Sequence, residues 1–349
     1  MKKLLNKIRR KDQTDESARI TTETIAEHRE KILAGGRRFK YPVQYARHRL
    51  VFNAIAISIA VVALLVAFVW QQLYLAQNTS DFMYRVTKIV PLPVASVDGQ
   101  SVAYSDYLMK YRSSIHYLEE KEQVNLTTED GKKQSDFVKQ QAMQDSIADA
   151  YAQKLAKDRD ISVSAVELET FLKLQRNSTD GEVSESTYEA VILDYYGWSP
   201  DEYRHAMQNK LLRQKVAFAI DTQAEKTAEA VGKAVVGSTD LRAVAEAINK
   251  EGGAQVTFAS QGFVPRTNQD GGLTAAASKL SKDQVSGVVK STNGDGYYIL
   301  KVVDINETQV NYDYIHIPLT VFAEQVNTAL KSGKVSKYIT IPEVTTTNE

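Results

Sequence analysis

The chain has 349 residues, no cysteine, and 43 basic against 43 acidic side chains. The lack of thiols excludes a disulfide framework, zinc–cysteine sites and thiol nucleophiles. The charge is balanced but segregated: residues 1–49 hold 14 Lys/Arg and 6 Asp/Glu, a net +8, which leaves 29 − 37 = −8 for residues 50–349.

The two parts are separated by an uncharged run, Leu50 to Ser80, whose apolar heart is Val51–Trp70 with Asn53 its one strongly polar side chain. About 20 apolar residues at 1.5 Å rise match the roughly 30 Å hydrocarbon core of a bilayer. A buried core helix of a soluble protein and a cleaved signal peptide are the competing readings. The first conflicts with so long a charge-free run. The second conflicts with the 49 residues ahead of it, although Tyr74-Leu75-Ala76-Gln77 resembles a cleavage site. Arg37, Arg38, Lys40, Arg47 and Arg49 precede the run, and nothing basic follows until Arg85 and Lys88. This bias places the N-terminus in the cytoplasm and the bulk of the chain outside a cell membrane crossed once. The basic tail reads as a topology signal touching anionic lipid, so no nucleic-acid partner is expected. An outer region without disulfides suits a bacterial envelope better than eukaryotic secretion.

Residues 73–91 read as a polar stalk stiffened by Pro91-Leu92-Pro93. Val94–Val97, the pair Asp98-Gly99 and Ser101–Tyr104 predict a hairpin with a tight turn. Ser105 is expected to cap a helix through Tyr107, Leu108, Tyr111 and Ile115, and Gln123–Lys133 to be a loop before a helix over 137–156. Ser164 and Glu167 form a capping box for the next helix. A turn at 177–181, a helix over 186–195 stopped by Gly197, and a helix opened by Ser199-Pro200 and ending near Ile220 complete this part.

Three stretches in this part carry a resemblance. Val97-Asp98-Gly99 through Val102 to Ser105-Asp106-Tyr107, Ile161–Ser164 with Glu167-Leu168-Glu169, and Gly197–Arg204 with Lys210–Lys215 resemble the opening, middle and closing segments of a SurA-type N-terminal domain, in that order. The resemblance implies a SurA/PrsA/PpiD-like extracytoplasmic foldase: a mostly helical module that holds unfolded or newly translocated polypeptides, followed by a parvulin-type prolyl isomerase.

Residues 222–318 are similar to a parvulin-type domain. A helix pair over 224–250 breaks at 237–240, a strand is expected over 256–260, Gly262-Phe263 sits at a glycine-rich turn, residues 279–286 resemble the stretch before a family strand, and Gly296–Val302 resembles the closing strand. The opening strand expected before Ala224 is missing, and a strand of its character, 310–317, follows instead. A circularly permuted sheet is inferred, with 303–317 forming an antiparallel hairpin. The resemblance then puts His316 at the first family histidine and Tyr298 at the second. The wall meant to grip a proline ring reduces to residues 270–277, where Leu273 alone is bulky. Isomerisation has to overcome an amide barrier of about 18–20 kcal/mol and needs a dry apolar grip and hydrogen bonds, not a metal or a nucleophile. His316 and Tyr298 are the candidate catalytic residues, and Phe263, Leu273 and Tyr314 the candidate substrate contacts. No metal site and no cofactor is expected: HExxH, P-loop and GxGxxG patterns are absent. Whether His316 and Tyr298 share a face depends on hairpin register, which leaves an active isomerase and a retained inactive fold both standing. A short helix over 319–330, ended by Gly333, and a strand over 335–341 are expected to return to the first module near Val94–Val97, and the tail from Pro342 to be loose.

The expected architecture is a membrane-anchored α+β protein: a basic cytoplasmic tail (1–49), one transmembrane helix (50–72), a stalk (73–91), a SurA-N-like module (92–221 plus 319–341) and a small α/β parvulin-like module with an antiparallel sheet (222–318). Its function is that of a folding helper with possible prolyl isomerase activity, against a non-catalytic envelope scaffold that retains the fold. The topology is checked by adding protease to intact cells. The part after the apolar run should be digested and the leading arm spared, and survival of the large part would overturn the orientation.

Overall fold

The structure, a computed structural model, describes residues 21–178, 181–237, 240–252 and 255–342, so residues 1–20 of the basic tail, positions 179–180 of the expected turn, positions 238–239 of the expected helix break and residues 343–349 lie outside the description. The chain divides into two units, 1–71 and 72–349. The first is the helix α1, Thr22–Trp70. Its stretch from His48, continued by a π-helical turn to Leu75, is long and apolar enough to cross a membrane, with mean hydropathy 2.7 and none of that window buried.

The expected stalk is folded structure: Leu73 is fully buried and its carbonyl accepts the Tyr104 hydroxyl at 2.7 Å. Ser80 caps α2, Asp81–Ile89, whose Met83, Tyr84 and Thr87 are buried. Tyr84 and Lys88 donate to the Glu202 carboxylate at 2.6 and 3.2 Å. Burial works to raise the pKa of Glu202, but the bonds from Tyr84, the Ser199 amide and Lys88 outweigh it and hold the carboxyl below its usual range.

β1 (Pro93–Val97) and β2 (Gln100–Ala103) form the expected hairpin, with Asp98 and Gly99 both at positive φ, 48° and 84°, as a two-residue turn of this hand requires. α3 runs Tyr104–Glu120 without a side-chain cap, one residue ahead of the expected Ser105 cap. The burial of Tyr104 and its amide bond to Leu92, not a hydroxyl, fix that start. α4 runs Glu129–Asp158 and starts well inside the expected loop, because the Thr128 hydroxyl accepts the Gly131 amide at 3.1 Å. Gly131 is needed there: a Cβ would lie 2.1 Å from the Asn125 carbonyl oxygen. α5 (Ala165–Gln175) opens on the Ser164/Glu167 capping box. The short hairpin β3 (Asn177–Ser178) and β4 (Gly181–Glu182) follows. α6 (Glu185–Tyr196) ends on Gly197 in the left-handed region, and α7 (Pro200–Ile220) opens on the Ser199/Glu202 box with Pro200 in its first turn. Lys110 of α3 and Arg213 of α7 both pair with Asp149 of α4, the latter at 3.3 Å, so three helices share one buried carboxylate whose desolvation is offset from two sides.

α8 (Thr222–Ala234) follows α7 with no strand between, and α9 (Leu241–Glu251) opens on the Asp240 cap. The second sheet contains β5 (Thr257–Pro265), β6 (Val289–Lys290), β7 (Gly296–Ile305) and β8 (Gln309–Pro318) in the antiparallel order β5-β8-β7-β6, and α10 (Leu273–Ala277) lies between β5 and β6 in the chain. The central strand β8 thus comes after both of its neighbours, β5 and β7, in sequence. Residues 279–286 form no regular strand; they lie along β7 through bonds such as the Ser286 amide to Leu300 O at 2.8 Å. One sheet face packs Tyr297, Ile299, Ile315 and Ile317 under α8 and α9. The other packs Tyr298, Leu300, Val302, Val310 and Tyr312 against Leu273 and Ala277 of α10. α11 (Val321–Lys331) then sets Phe322 against Tyr151 of α4, and β9, shorter than expected at Val335–Lys337, pairs antiparallel with β1. Tyr338 adds one bond to the Val94 carbonyl at 2.9 Å.

The two modules are joined at Asp221, which is 2 % exposed. Its Oδ1 accepts the Ala224 amide at 3.0 Å and so caps α8; its Oδ2 accepts the amides of Thr320 and Val321 at 2.8 and 3.2 Å and so caps α11. One cap is worth about 0.5–2 kcal/mol, so Asp221→Ala should cost about 2–4 kcal/mol and Asp221→Asn, which keeps one acceptor, about half. Urea unfolding of the full chain in detergent followed by circular dichroism measures this, and a midpoint unchanged by Asp221→Ala would rule the double cap out as a stabilising element.

Candidate functional site

The hairpin register puts Tyr298 directly opposite His316. Paired residues share a face, and the two rings stack at 4.4 Å between centroids and 16° between planes. Tyr314, two positions along on the same face, lies 5.6 Å from the Tyr298 ring. The Tyr298 hydroxyl donates to Asp295 Oδ2 at 2.7 Å, and His316 Nε2 lies 3.3 Å from the Asp295 carbonyl, which it reaches as a donor when Nε2 carries the proton. Gly296 makes the approach possible: a Cβ there would stand 2.2 Å from the Ile317 carbonyl oxygen and 2.9 Å from His316 Nε2.

Below this pair is a second network. Asp270 accepts the Tyr312 and Thr274 hydroxyls and the Asn268 amide on Oδ2, and the Thr274 backbone amide on Oδ1 at 2.9 Å. Tyr312 and Thr274 are fully buried. Burial first, then the hydrogen bond to a carboxylate, pushes both the Tyr298 and the Tyr312 phenols well above the ordinary tyrosine range, so both stay protonated donors.

The sequence-based site is therefore partly assembled. Tyr298, His316, Tyr314 and Leu273 share one face, with Leu273 and Tyr298 each 7 % exposed and packed in one cluster, and Tyr314 and His316 half-buried at its rim. Phe263 is not among them. It pairs with Asn311, lies on the opposite face and is 48 % exposed. The register shift between Ser260 and Gly262, with Gly262 at φ 73°, inserts one residue and reverses the parity of the strand beyond it. Asp270, Asp295, Thr274 and Tyr312 escaped the sequence reading. The signal available was the alternation Tyr312, Tyr314, His316 on one strand face, with an Asp-Gly-Gly turn able to set a carboxylate beside it.

A second candidate lies in the helical module. A cavity of about 800 Å³ opens between α3, α4, α6 and α7. Its apolar wall includes Tyr117, Phe137, Tyr195, Tyr196, Trp198 and Met207, of which Phe137 and Tyr195 are each 45 % exposed. Tyr196 stacks on Trp198 at 5.2 Å, and the buried indole nitrogen of Trp198 has no partner among the described residues. The far end is ionic, with Lys110, Asp145, Asp149, Lys210 and Arg213. Such a surface, aromatic along its length and polar at one end, fits an extended peptide better than a compact small molecule.

Beside the groove His205 bonds Asp106 Oδ1 at 2.9 Å, and this bond raises the imidazole pKa above its ordinary 6.5. His116, the other helical histidine, holds the Asp194 carbonyl at 3.0 Å.

The family described as a SurA-like N-terminal domain matches residues 46–217, and the family described as a PPIC-type PPIase domain matches residues 188–314. The two matches overlap in α6 and α7, and the second ends inside β8. No curated protein matches the chain.

The His205–Asp106 pair gives a pH-dependent link between α3 and α7. A raised folded-state value means that the stabilisation is complete below pH 6.5 and fades as pH rises through the folded value. NMR titration should show one imidazole titrating above 6.5 and returning toward it in Asp106→Asn; a His205 that titrates normally in the wild type would refute the link.

Proposed function

Since the chain carries a SurA-like N-terminal domain followed by a PPIC-type prolyl isomerase domain, the composition of the SurA/PrsA/PpiD-like foldases, we propose that it is a membrane-tethered folding helper that holds unfolded, newly translocated polypeptides on the extracytoplasmic side of a cell membrane. The observation that carries this reading is the aromatic groove of about 800 Å³ between the helices. Its wall presents half-exposed Phe137, Tyr195 and Tyr196, large and stiff side chains that bury area at low entropic cost. The apolar stretch His48–Leu75 supports the tether, and the charge bias ahead of it supports the orientation.

A second activity, prolyl isomerisation, is favoured by the stacked Tyr298–His316 pair. An amide loses its resonance when it twists, and a donor that bonds the twisted form better than the planar one lowers the barrier. In this structure the Tyr298 proton is held by Asp295, and Leu273 and Tyr298 are close-packed, so a proline ring meets the rim formed by Tyr314 and His316. Isomerisation is accordingly the weaker activity in this proposal, and holding the main one.

Two assays on the full chain in detergent separate the readings. Phe137→Ser combined with Tyr195→Ser and Tyr196→Ser should abolish most of the suppression of aggregation of an unfolded client, while His316→Ala leaves it intact. In a proline-peptide assay the wild type should accelerate cis–trans conversion and His316→Ala should slow it. Loss of neither activity in the groove variant would sink the holding role, and a wild type inert in both assays with one defined bound protein would mark a scaffold.

A further inference from the structure

The ionic end of the groove does not balance. Lys110, Lys210 and Arg213 face Asp145 and Asp149, three cations against two carboxylates. Asp149 is already shared by Lys110 and Arg213, and Arg213 also reaches Asp145 at 3.9 Å. The surplus charge is Lys210. Among the described residues it has no carboxylate within ion-pair distance, and its recorded contact is with the face of the Phe171 ring, 5.9 Å from the centroid. It stands half-buried on α7, in the wall between the groove and a second cavity of about 440 Å³. Burial, then the neighbouring Arg213, lowers its pKa, the mark of a cation lacking a counter-charge. The other acid of the groove, Glu122, lies past the C-terminal end of α3, twelve residues beyond Lys110, and makes no ion pair with Lys210.

We propose that this end of the groove takes an acidic side chain of the bound polypeptide, and that Lys210 is the residue that selects it. The substrate class is thereby narrowed to apolar, aromatic-bearing segments that carry an Asp or Glu within reach of α7. The proposal rests on the groove being the polypeptide site. A carboxylate arriving at Lys210 finds a donor that is desolvated and unpaired, so a charge-assisted bond forms at little further cost in solvation. An uncharged polar residue at the same place leaves the lysine as it was.

The test uses the full chain in non-ionic detergent and two synthetic dodecapeptides of alternating aromatic and small polar residues. Both are acetylated and amidated at their ends and carry a neutral fluorophore; one has a central Glu, its twin a Gln. By fluorescence anisotropy the Glu peptide should bind about tenfold more tightly. Lys210→Gln should shrink the ratio to under about twofold, with an unchanged far-ultraviolet circular dichroism spectrum reporting that the helical module is folded; Lys210→Arg should keep most of the preference. If the wild type binds both twins equally, acid selection is wrong and the groove reading stands. If it binds neither, the groove reading falls and this proposal with it. If Lys210→Gln keeps the preference, another group selects the acid and Lys210 is overturned.

Discussion

A carboxylate that serves two helix starts holds the second unit in its arrangement. Asp221 follows α7 immediately, and its two oxygens take the first amides of α8 and of α11, elements about a hundred residues apart in sequence. Helix N-termini leave donors that must be satisfied when buried. Here the entry to and the exit from the sheet module are satisfied by one side chain. That is possible only because the central strand β8 comes after the other strands of its sheet, which brings the chain back to the point where the module began. The late arrival of β8 and the double cap are therefore one feature. The return through α11 and β9, onto α4 and β1, depends on it.

The two candidate surfaces differ in how their polar groups are used. On the sheet, Asp270 and Asp295 each take up a phenol, so the protons of Tyr312 and Tyr298 are directed inward, onto loops of the same module. In the groove, aromatic rings stand half-exposed, and among the described residues an indole nitrogen has no partner and a lysine no counter-ion. A buried network that is fully satisfied specifies a fold, whereas half-exposed rings and a cation without a counter-charge, lining a cavity, can engage what enters it. This contrast is why the holding role leads the functional reading.

Much of the fold was legible because the signals were local. The Asp98-Gly99 turn, the capping box at Ser164, the Ser199-Pro200 start and the Gly197 stop each act within four residues, and each is found as read. The errors arise where a distant partner decides. The segment 73–91 looks like a stalk because Gln77 to Asp81 are polar in an unbroken row and Pro91 and Pro93 stiffen its end, yet Leu73, Met83 and Tyr84 find cover on α3 and the start of α7, which no local pattern announces. α3 starts at Tyr104 and not at the Ser105 cap for the same reason. Phe263 was misplaced by a single inserted residue. A bulge leaves strand composition unchanged and inverts which side chains face which way. The pairing of Tyr298 with His316 needed the hairpin register, and their anchor Asp295 needed the loop geometry.

The pairing of β1 with β9 joins Ala95 to Lys337, about 240 positions downstream. Contacts of such sequence separation form late, since a long loop must close before they repay its entropy. A chain leaving the ribosome from its N-terminus thus makes the first strand of its helical module long before that strand's neighbour exists. Until residues 335–337 emerge, the edge of β1 stays open, so this protein must itself pass through a period of exposed backbone during its biosynthesis.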